Sequence, residues 1–377
     1  MENNVKLKKL INTEFFEQKS MFLKQKLVSS KFNFHVIKHE IKSPAVYICN
    51  KTTSHDKALV SSAVRGNYVF LKDSIIQDLY KNKLTKETKN ELFKALKLLR
   101  ENKISIFIFP EKNITLFGAC DNLPLSITEF LYETGYDLKF FYLIGTYIVS
   151  PIWSKVKRAS ETKFIIHNHK LDNATLSNHS EIERNSEINH LMPSSASAYI
   201  TKFETRLKSN KLAENIETLV YSCPHCKSFF SLYSEFNCLK CRECGAFLEF
   251  SNDGKILFSN IISNFDDFEK FLYQTLKYKE FDNNPIVEYK NLILFNYKTN
   301  NKTKNITGTH LKIFADKLII ENTNFNKTIT ISEIEDVSLL NNNTINIDLK
   351  DQTISLTGKN KENFYILIDL FKLYHEK

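Results

Sequence analysis

Short apolar runs alternate with amphipathic stretches through the first half of the chain. Runs at 45–49, 104–109 and 139–144 are almost entirely apolar and predict buried strands. Strands of that kind belong to a parallel sheet that is covered on both faces. Residues 86–101 carry leucine and phenylalanine at helical spacing and predict an amphipathic helix. This alternation predicts an α/β domain with a mostly parallel sheet over residues 44–195.

The chain before residue 44 has a different pattern. Over residues 1–43 an approximate helical stripe of apolar side chains is surrounded by lysines. A basic amphipathic helix of this type can lie in a bilayer interface, where apolar burial and attraction to anionic lipids add together. The alternative is a helix that packs on its own domain.

The tail is predicted to form a small, mainly-β domain. Residues 256–290 are aromatic and predict a helical connector. From 291 to 377, short alternating segments predict strands, and 361–374 predict a final helix. Short antiparallel strands followed by one helix resemble a pleckstrin-homology-like barrel. Such a domain would bind a lipid head group or a peptide, or would stabilise the chain as an appendage.

Composition narrows the class of protein. The chain has 377 residues, room for two or three domains, and its 42% hydrophobic and 25% charged residues are typical of a globular protein. A net charge of +9 favours a polyanionic partner, or simply follows from the lysine content. The polar, basic start predicts no signal peptide, and no apolar run reaches the ~20 residues of a spanning helix. We expect a cytoplasmic protein that can lie on the inner face of the membrane.

Five of the seven cysteines lie between positions 223 and 244, which indicates metal binding rather than disulfides. Residues 196–255 are predicted to form a helix followed by a ribbon, in which the four thiolates of two Cys-x-x-Cys turns surround one structural Zn²⁺. The predicted ligands are Cys223, Cys226, Cys241 and Cys244. Cys238 offers an alternative fourth ligand, but Gly245 suits the reversal after a last ligand at Cys244. Four protein ligands leave no open position for water, so the metal is expected to support folding.

Polar residues follow the first predicted strand, where α/β proteins usually place their chemistry. The stretch from Asn50 to Asp56 reads Asn-Lys-Thr-Thr-Ser-His-Asp. It resembles the Asn-His-x-x-x-x-Asp motif of the glycerol-phosphate and lysophospholipid acyltransferase family, with Lys51 at the position of the histidine. In that family the histidine takes a proton from a lysolipid hydroxyl and the aspartate orients the histidine.

Two further stretches resemble the same family. Phe109-Pro110-Glu111 follows a predicted strand and resembles the Phe-Pro-Glu-Gly-x-Arg-Ser motif, with Lys112 and Ile114 replacing the glycine and the arginine. Residues 143–153 resemble a Gly-Tyr-x-x-x-Pro-x-Trp stretch of a bacterial branch. That branch also carries a two-turn zinc ribbon after its acyltransferase domain, preceded by a helix like 198–221.

The resemblance implies transfer of a fatty acyl group from acyl-CoA or acyl-carrier protein to a lysophospholipid hydroxyl. It implies a peripheral membrane location and no organic cofactor. The residues it points to are Lys51, His55 and Asp56 for catalysis and Asn50, Glu111, Lys112 and Thr115 for substrate binding. Lysine, with an ordinary pKa near ~10.4, is a poor replacement for an imidazole base. His55 cannot form the same dyad, because adjacent helical side chains diverge by ~100°.

Two other classes of function are open. The first is a non-catalytic, membrane-associated binding protein on the same fold. The second is a nucleic-acid-binding protein, which the charge and the zinc ribbon allow. The sequence lacks the basic stripe interleaved with aromatics that such a surface needs, so we expect no nucleic-acid partner.

Overall fold

The computed structural model of the chain describes a large part of the sequence. The described residues are 15–17, 35–36, 39–53, 55–114, 116–118, 120–143, 146–154, 158–160, 163–164, 169–192, 207–252, 255–257, 264–299, 302–323, 325–341, 343–359 and 362–376. The chain divides into two compact units, one built mainly from residues before 210 and the other mainly from residues after it.

A six-stranded mixed sheet forms the centre of the first unit. Its strands are β1 (Phe16–Glu17), β2 (Val46–Cys49), β3 (Tyr68–Leu71), β4 (Ser105–Ile108), β5 (Leu138–Phe141) and β6 (His169–Leu171). The spatial order is β1-β3-β4-β2-β5-β6. The four central strands are parallel, and each edge strand is antiparallel to its neighbour. The predicted parallel sheet is therefore found at the centre, while both edges differ from it.

Five helices of eight or more residues accompany this sheet among the described residues. They are α1 (Asp56–Ala63), α2 (Asp73–Tyr80), α3 (Lys86–Glu101), α4 (Leu125–Glu133) and α5 (Glu181–His190). The bounds of α3 are those that the pattern predicts. Its start is fixed by Thr85, whose side chain accepts a hydrogen bond from the Thr88 N–H at 3.1 Å. Its apolar stripe, including Leu92, Leu96 and Leu99, is buried in a core with side chains of α2 and α4.

The opposite face of the sheet is aromatic. Tyr47, Phe107 and Phe141 come from three neighbouring strands, and the Tyr47 and Phe107 rings stack with centroids 4.7 Å apart. The neighbours Val46 and Ile48 contribute to the other core instead. Successive side chains of a strand point to opposite faces, so a central strand with both faces buried must be apolar throughout.

The second unit contains a small antiparallel ribbon and a larger antiparallel sheet. The ribbon is formed by β7 (Leu232–Glu235), β8 (Cys238–Cys241), β9 (Phe247–Phe250) and β10 (Ile256–Leu257), and is followed by α6 (Phe265–Lys277). The larger sheet contains β11 (Val287–Thr299), β12 (Lys302–Ile313), β13 (Lys317–Asn322), β14 (Phe325–Thr330), β15 (Ile334–Asn341), β16 (Thr344–Leu349) and β17 (Gln352–Thr357). Its order is β14-β13-β12-β11-β17-β16-β15, and the helix α7 (Tyr365–His375) follows.

Three predicted helical segments differ in the structure. Residues 15–17 form a turn and the edge strand β1 instead of part of an N-terminal helix, while 1–14 and 18–34 lie outside the described residues. Within 207–221 the structure has a two-residue strand and a 3-10 helix at Ile216–Thr218, not a continuous helix. The connector helix ends at Lys277, and β11 begins at Val287, four residues before the predicted boundary. Residues 16–17, 207–208 and 287–289 pair with other strands, and this pairing overrides local helix propensity at those positions.

No helix in the described part of the chain is both long and apolar enough to cross a bilayer.

A buried hydrogen bond ties the ribbon to the last helix of the second unit. The Tyr221 hydroxyl, two residues before Cys223, donates to the Asp369 carboxylate on α7 at 2.8 Å and also lies 2.9 Å from the Leu272 carbonyl on α6. Burial raises the pKa of Asp369 to about 7, and the Lys372 charge and the phenol hydrogen bond act against that rise. One phenol thus joins three parts of the unit.

We expect Tyr221→Phe to lower the free energy of unfolding of the second unit by about 1–3 kcal/mol, because the buried carboxylate loses a donor. Denaturant unfolding followed by circular dichroism measures this loss. Tyr278→Phe is the control, since Tyr278 is exposed and should be neutral. Equal stability of the two variants would contradict the role given to Tyr221.

Candidate functional site

Asn50 joins the ends of two neighbouring strands. Its side-chain amide follows β2, donates to the Leu143 carbonyl at 3.1 Å and accepts from the Leu143 N–H at 2.6 Å, just after β5. Both polar atoms of the Asn50 side-chain amide are therefore bonded to the Leu143 backbone. Asn50 is therefore a positioning residue in this structure rather than a side chain that faces a ligand.

Glu111 comes to the same place from the third strand. It follows β4 and Pro110, is buried, and accepts a hydrogen bond from the Lys51 N–H. The residues after β2, β4 and β5 therefore converge at one edge of the sheet, as parallel strands allow. The motif positions Asn50 and Glu111, 61 residues apart in sequence, lie together at this edge.

The Asp56 carboxylate is occupied by the loop that precedes it. It accepts from the N–H groups of Thr52 at 2.5 Å and Thr53 at 2.8 Å, and from the Thr53 hydroxyl at 2.7 Å. Burial raises the pKa of Asp56 to about 6, and the hydrogen bonds from Thr53 and Thr52 act against that rise. Asp56 thus closes the turn between β2 and α1.

Lys51 has a different ion-pair partner from the one that the motif suggests. Its ammonium lies 3.2 Å from one carboxylate oxygen of Asp73, the first residue of α2. Lys57 in the first turn of α1 lies 2.9 Å from the other oxygen and 3.2 Å from Glu17 on β1. In the family motif the aspartate orients the residue at the position of Lys51, whereas here the Asp56 carboxylate accepts hydrogen bonds from Thr52 and Thr53.

The remaining predicted residues are placed as follows. The His55 N–H donates to the Thr53 hydroxyl at 3.0 Å, immediately before α1. The Lys112 carbonyl accepts a hydrogen bond from the Gln77 side-chain amide at 2.7 Å. The Lys112 ammonium lies 5.9 Å from the centre of the Tyr80 ring. Thr115 lies outside the described residues.

Glu111 has a strongly altered acidity. Burial raises its pKa to about 8, hydrogen bonds from the Lys51 N–H and the Cys120 thiol lower it, and the charges of Asp121 and Asp56 raise it further. The Asp56 charge thus acts on the Glu111 carboxyl group. At neutral pH this edge of the sheet therefore holds two buried carboxyl groups that can exchange protons.

The Glu111 carboxyl should make stability depend on pH. Its pKa is raised above its value of 4.5 in an unfolded chain, so its contribution is present at low pH and is lost as pH rises through about 8. Glu111→Gln keeps an acceptor for the Lys51 N–H without the charge. Between pH 5 and pH 9 we expect the variant to gain at least about 1.4 kcal/mol of stability relative to the parent protein, the equivalent of one pKa unit.

Denaturant titrations at both pH values measure that difference. Glu133→Gln is the matched control, because Glu133 is an exposed partner of Lys89 and loses the same charge. Parallel pH profiles for the parent protein and Glu111→Gln would contradict the buried, proton-binding carboxyl.

The cysteine ribbon forms a second candidate site. One ligand atom from each of Cys223, Cys226, Cys241 and Cys244 lies within 4.8 Å of the others. The Cys223 and Cys244 sulfurs are 3.8 Å apart, and those of Cys226 and Cys241 are 3.7 Å apart. A tetrahedron with Zn–S bonds of about 2.3 Å has edges of about 3.8 Å. The four cysteines could therefore hold a metal ion such as zinc.

The two turns of the ribbon have matching backbones. The Lys227 N–H bonds the Cys223 carbonyl at 2.9 Å, and the Gly245 N–H bonds the Cys241 carbonyl at 3.1 Å. Both donors have positive φ, +58° at Lys227 and +70° at Gly245. The first turn thus adopts with a lysine the conformation for which the second uses a glycine.

Cys238 does not belong to the cluster. It begins β8, three residues before Cys241, and side chains three positions apart on a strand point to opposite faces. It lies opposite Glu249 on the neighbouring strand. The preference for Cys244 over Cys238 is confirmed.

We expect Cys244→Ala to reduce bound zinc from one equivalent to less than about a tenth, because three thiolates bind far more weakly than a closed site. Cys238→Ala should keep one equivalent. Metal content measured by emission spectrometry after dialysis separates them, with circular dichroism as the test of folding. Loss of zinc from Cys238→Ala alone would show that the ligand set is wrong.

Comparisons with known proteins give no family. No model of a known protein family matches the chain, and no curated protein matches it. A solved C-terminal domain of an unknown protein from Leishmania infantum is similar over 23% of this chain and 84% of its own, with 17% identity and a TM-score of 0.18. The N-terminal PH domain of human ARAP2 is similar over 26% of this chain and 88% of its own, with 10% identity and a TM-score of 0.20. Similarity at this level carries no argument about this chain.

Proposed function

We propose that the first unit is a lysophospholipid-binding domain of acyltransferase type that does not transfer an acyl group. One observation carries this proposal: the ammonium of Lys51, at the position of the family's catalytic histidine, is paired with Asp73, while Asp56 is bonded to Thr52 and Thr53. An ammonium has no lone pair with which to accept a substrate proton.

The lipid part of the proposal is supported by how the motifs converge. The three stretches that resemble the acyltransferase family include the residues after β2, β4 and β5, and contacts join them at one sheet edge. Lys51 and Lys57 lie beside that edge with partly exposed side chains. Two cations near the ends of parallel strands suit a ligand that carries a phosphate group. The net charge of +9 supports a peripheral position on the anionic, cytoplasmic face of the membrane.

In this proposal the second unit supplies a structural zinc site and a further interaction domain. Four thiolates with no open coordination position support a folding role for Zn²⁺. The sheet order β14-β13-β12-β11-β17-β16-β15, followed by α7, supports a pleckstrin-homology-like topology. A domain of that type would bind a lipid head group or a peptide.

The second candidate is the acyltransferase itself. It is favoured by the acidity of the two buried carboxyl groups, since the pKa is about 6 for Asp56 and about 8 for Glu111. A group with a pKa near the working pH is a suitable general base. In this reading one carboxylate takes the proton of the lysolipid hydroxyl as its oxygen attacks the thioester of acyl-CoA or acyl-carrier protein, and the released thiol is protonated.

One experiment separates the two candidates. Thiol release from acyl-CoA and from acyl-carrier protein is measured with and without lysophosphatidate, beside sedimentation with vesicles that contain lysophosphatidate. We expect vesicle binding and no lysophosphatidate-dependent thiol release. Lysophosphatidate-dependent release that is abolished by Asp56→Ala or Glu111→Gln would establish the acyltransferase instead. Absence of both release and vesicle binding would contradict both candidates.

A further inference from the structure

We propose that Asp73 occupies, within the folded chain, the place of a phosphate monoester, and that such a ligand displaces Asp73 from the ammonium groups of Lys51 and Lys57. The inference rests on the proposed function and narrows its ligand to lipids or small molecules that carry a phosphate monoester. It also assigns to Asp73 the role of an internal competitor for that ligand.

The two lysine ammonium groups hold the Asp73 carboxylate in the way that they would hold an external anion. Each ammonium approaches a different oxygen of the same carboxylate, at 3.2 Å for Lys51 and 2.9 Å for Lys57. The lysine side chains are 17% and 18% exposed, whereas the Asp73 side chain is 44% exposed. The anion is thus the member of the group most open to solvent, and an external anion can exchange with it.

The position of Asp73 in its helix agrees with this role. It is the first residue of α2, and Lys72 before it contributes no side-chain cap. The first N–H groups of a helix carry a partial positive charge and favour an anion. Burial alone would raise the pKa of Asp73, but Lys51 and Lys57 hold it below its ordinary value, so the carboxylate is charged at neutral pH.

A phosphate monoester makes a stronger partner for these lysines than one carboxylate. It carries about −1.5 to −2 charges and three acceptor oxygens, so each ammonium can bind its own oxygen. Glu17 already contacts Lys57 through both oxygens at 3.2 Å, which reduces the attraction at that lysine. Within the described residues Lys51 has its ion pair with Asp73 alone, so Lys51 gains most from the exchange.

Asp73→Asn should therefore strengthen binding. Asparagine keeps the shape of the side chain and removes the competing charge. If the lysines are free of Asp73 about a tenth of the time, removing the competition lowers the apparent Kd about tenfold. Lys51→Ala in the same chain should remove that gain, because it removes the cation with the most to gain from an external anion.

The test uses the full chain and calorimetric titration with three probes. Glycerol 3-phosphate tests the free phosphate monoester, lysophosphatidate in phosphatidylcholine vesicles tests the lipid-borne one, and lysophosphatidylcholine in the same vesicles lacks the monoester. Glu133→Gln is the matched control, since it removes one carboxylate from the exposed ion pair between Lys89 and Glu133 elsewhere in the unit. Thermal unfolding confirms that each variant is folded.

We expect about tenfold tighter binding of lysophosphatidate by Asp73→Asn, no change for Glu133→Gln, and no response to lysophosphatidylcholine. The same gain with glycerol 3-phosphate would identify the head group as sufficient, and a gain with lysophosphatidate alone would identify a lipid ligand; both support the exchange. Binding by the parent protein that is unchanged in Asp73→Asn would overturn this inference and leave the proposed function standing. No binding of either phosphate monoester by any variant would overturn both.

Discussion

Three successive backbone N–H groups, at Lys51, Thr52 and Thr53, determine the arrangement of the first site. The first donates to Glu111 and the next two donate to Asp56. The N–H groups of a turn after a buried strand need hydrogen-bond acceptors. Here the acceptors are the carboxyl groups of Asp56, from the first motif, and Glu111, from the second. Both carboxylates are therefore fixed as structural acceptors, and the Lys51 ammonium pairs with Asp73 outside this set. These hydrogen-bond and ion-pair partners determine which side chains of the site can still act on a ligand.

Burial of two carboxyl groups at one sheet edge has an electrostatic consequence. Removing a carboxylate from water is costly unless hydrogen bonds replace its hydration. The N–H donors supply part of that replacement, which keeps the pKa of Asp56 near 6, while Glu111 retains a higher value near 8. The site holds its shape through groups that titrate near neutrality. Its protonation state and its geometry are therefore linked.

Local signals predicted much of the fold, while pairings between distant segments escaped them. The helix at 86–101 was predictable because its apolar spacing and its Thr85 cap lie within one stretch of sequence. The four-cysteine cluster was predictable for the same reason, since its ligands come from two local turns. The Lys51–Asp73 ion pair was not, because Asp73 also reads as an ordinary helix start. Edge strand β1, which pairs with β3 some fifty residues later, gave no local signal.

In the second unit, metal binding and packing share one short segment. Tyr221 bonds Asp369 on α7, and Cys223 begins the metal cluster two residues later. Backbone bonds from Cys223 and Phe230 to Ser228 and Tyr221 hold the turn between them. A metal that fixes Cys223 therefore also limits the conformations of Tyr221. Because Tyr221 is already restricted, its hydrogen bond to α7 forms at a smaller cost in conformational entropy. On this argument the ribbon is more than a separate appendage, because its ligands and the last helix of the chain depend on the same few residues.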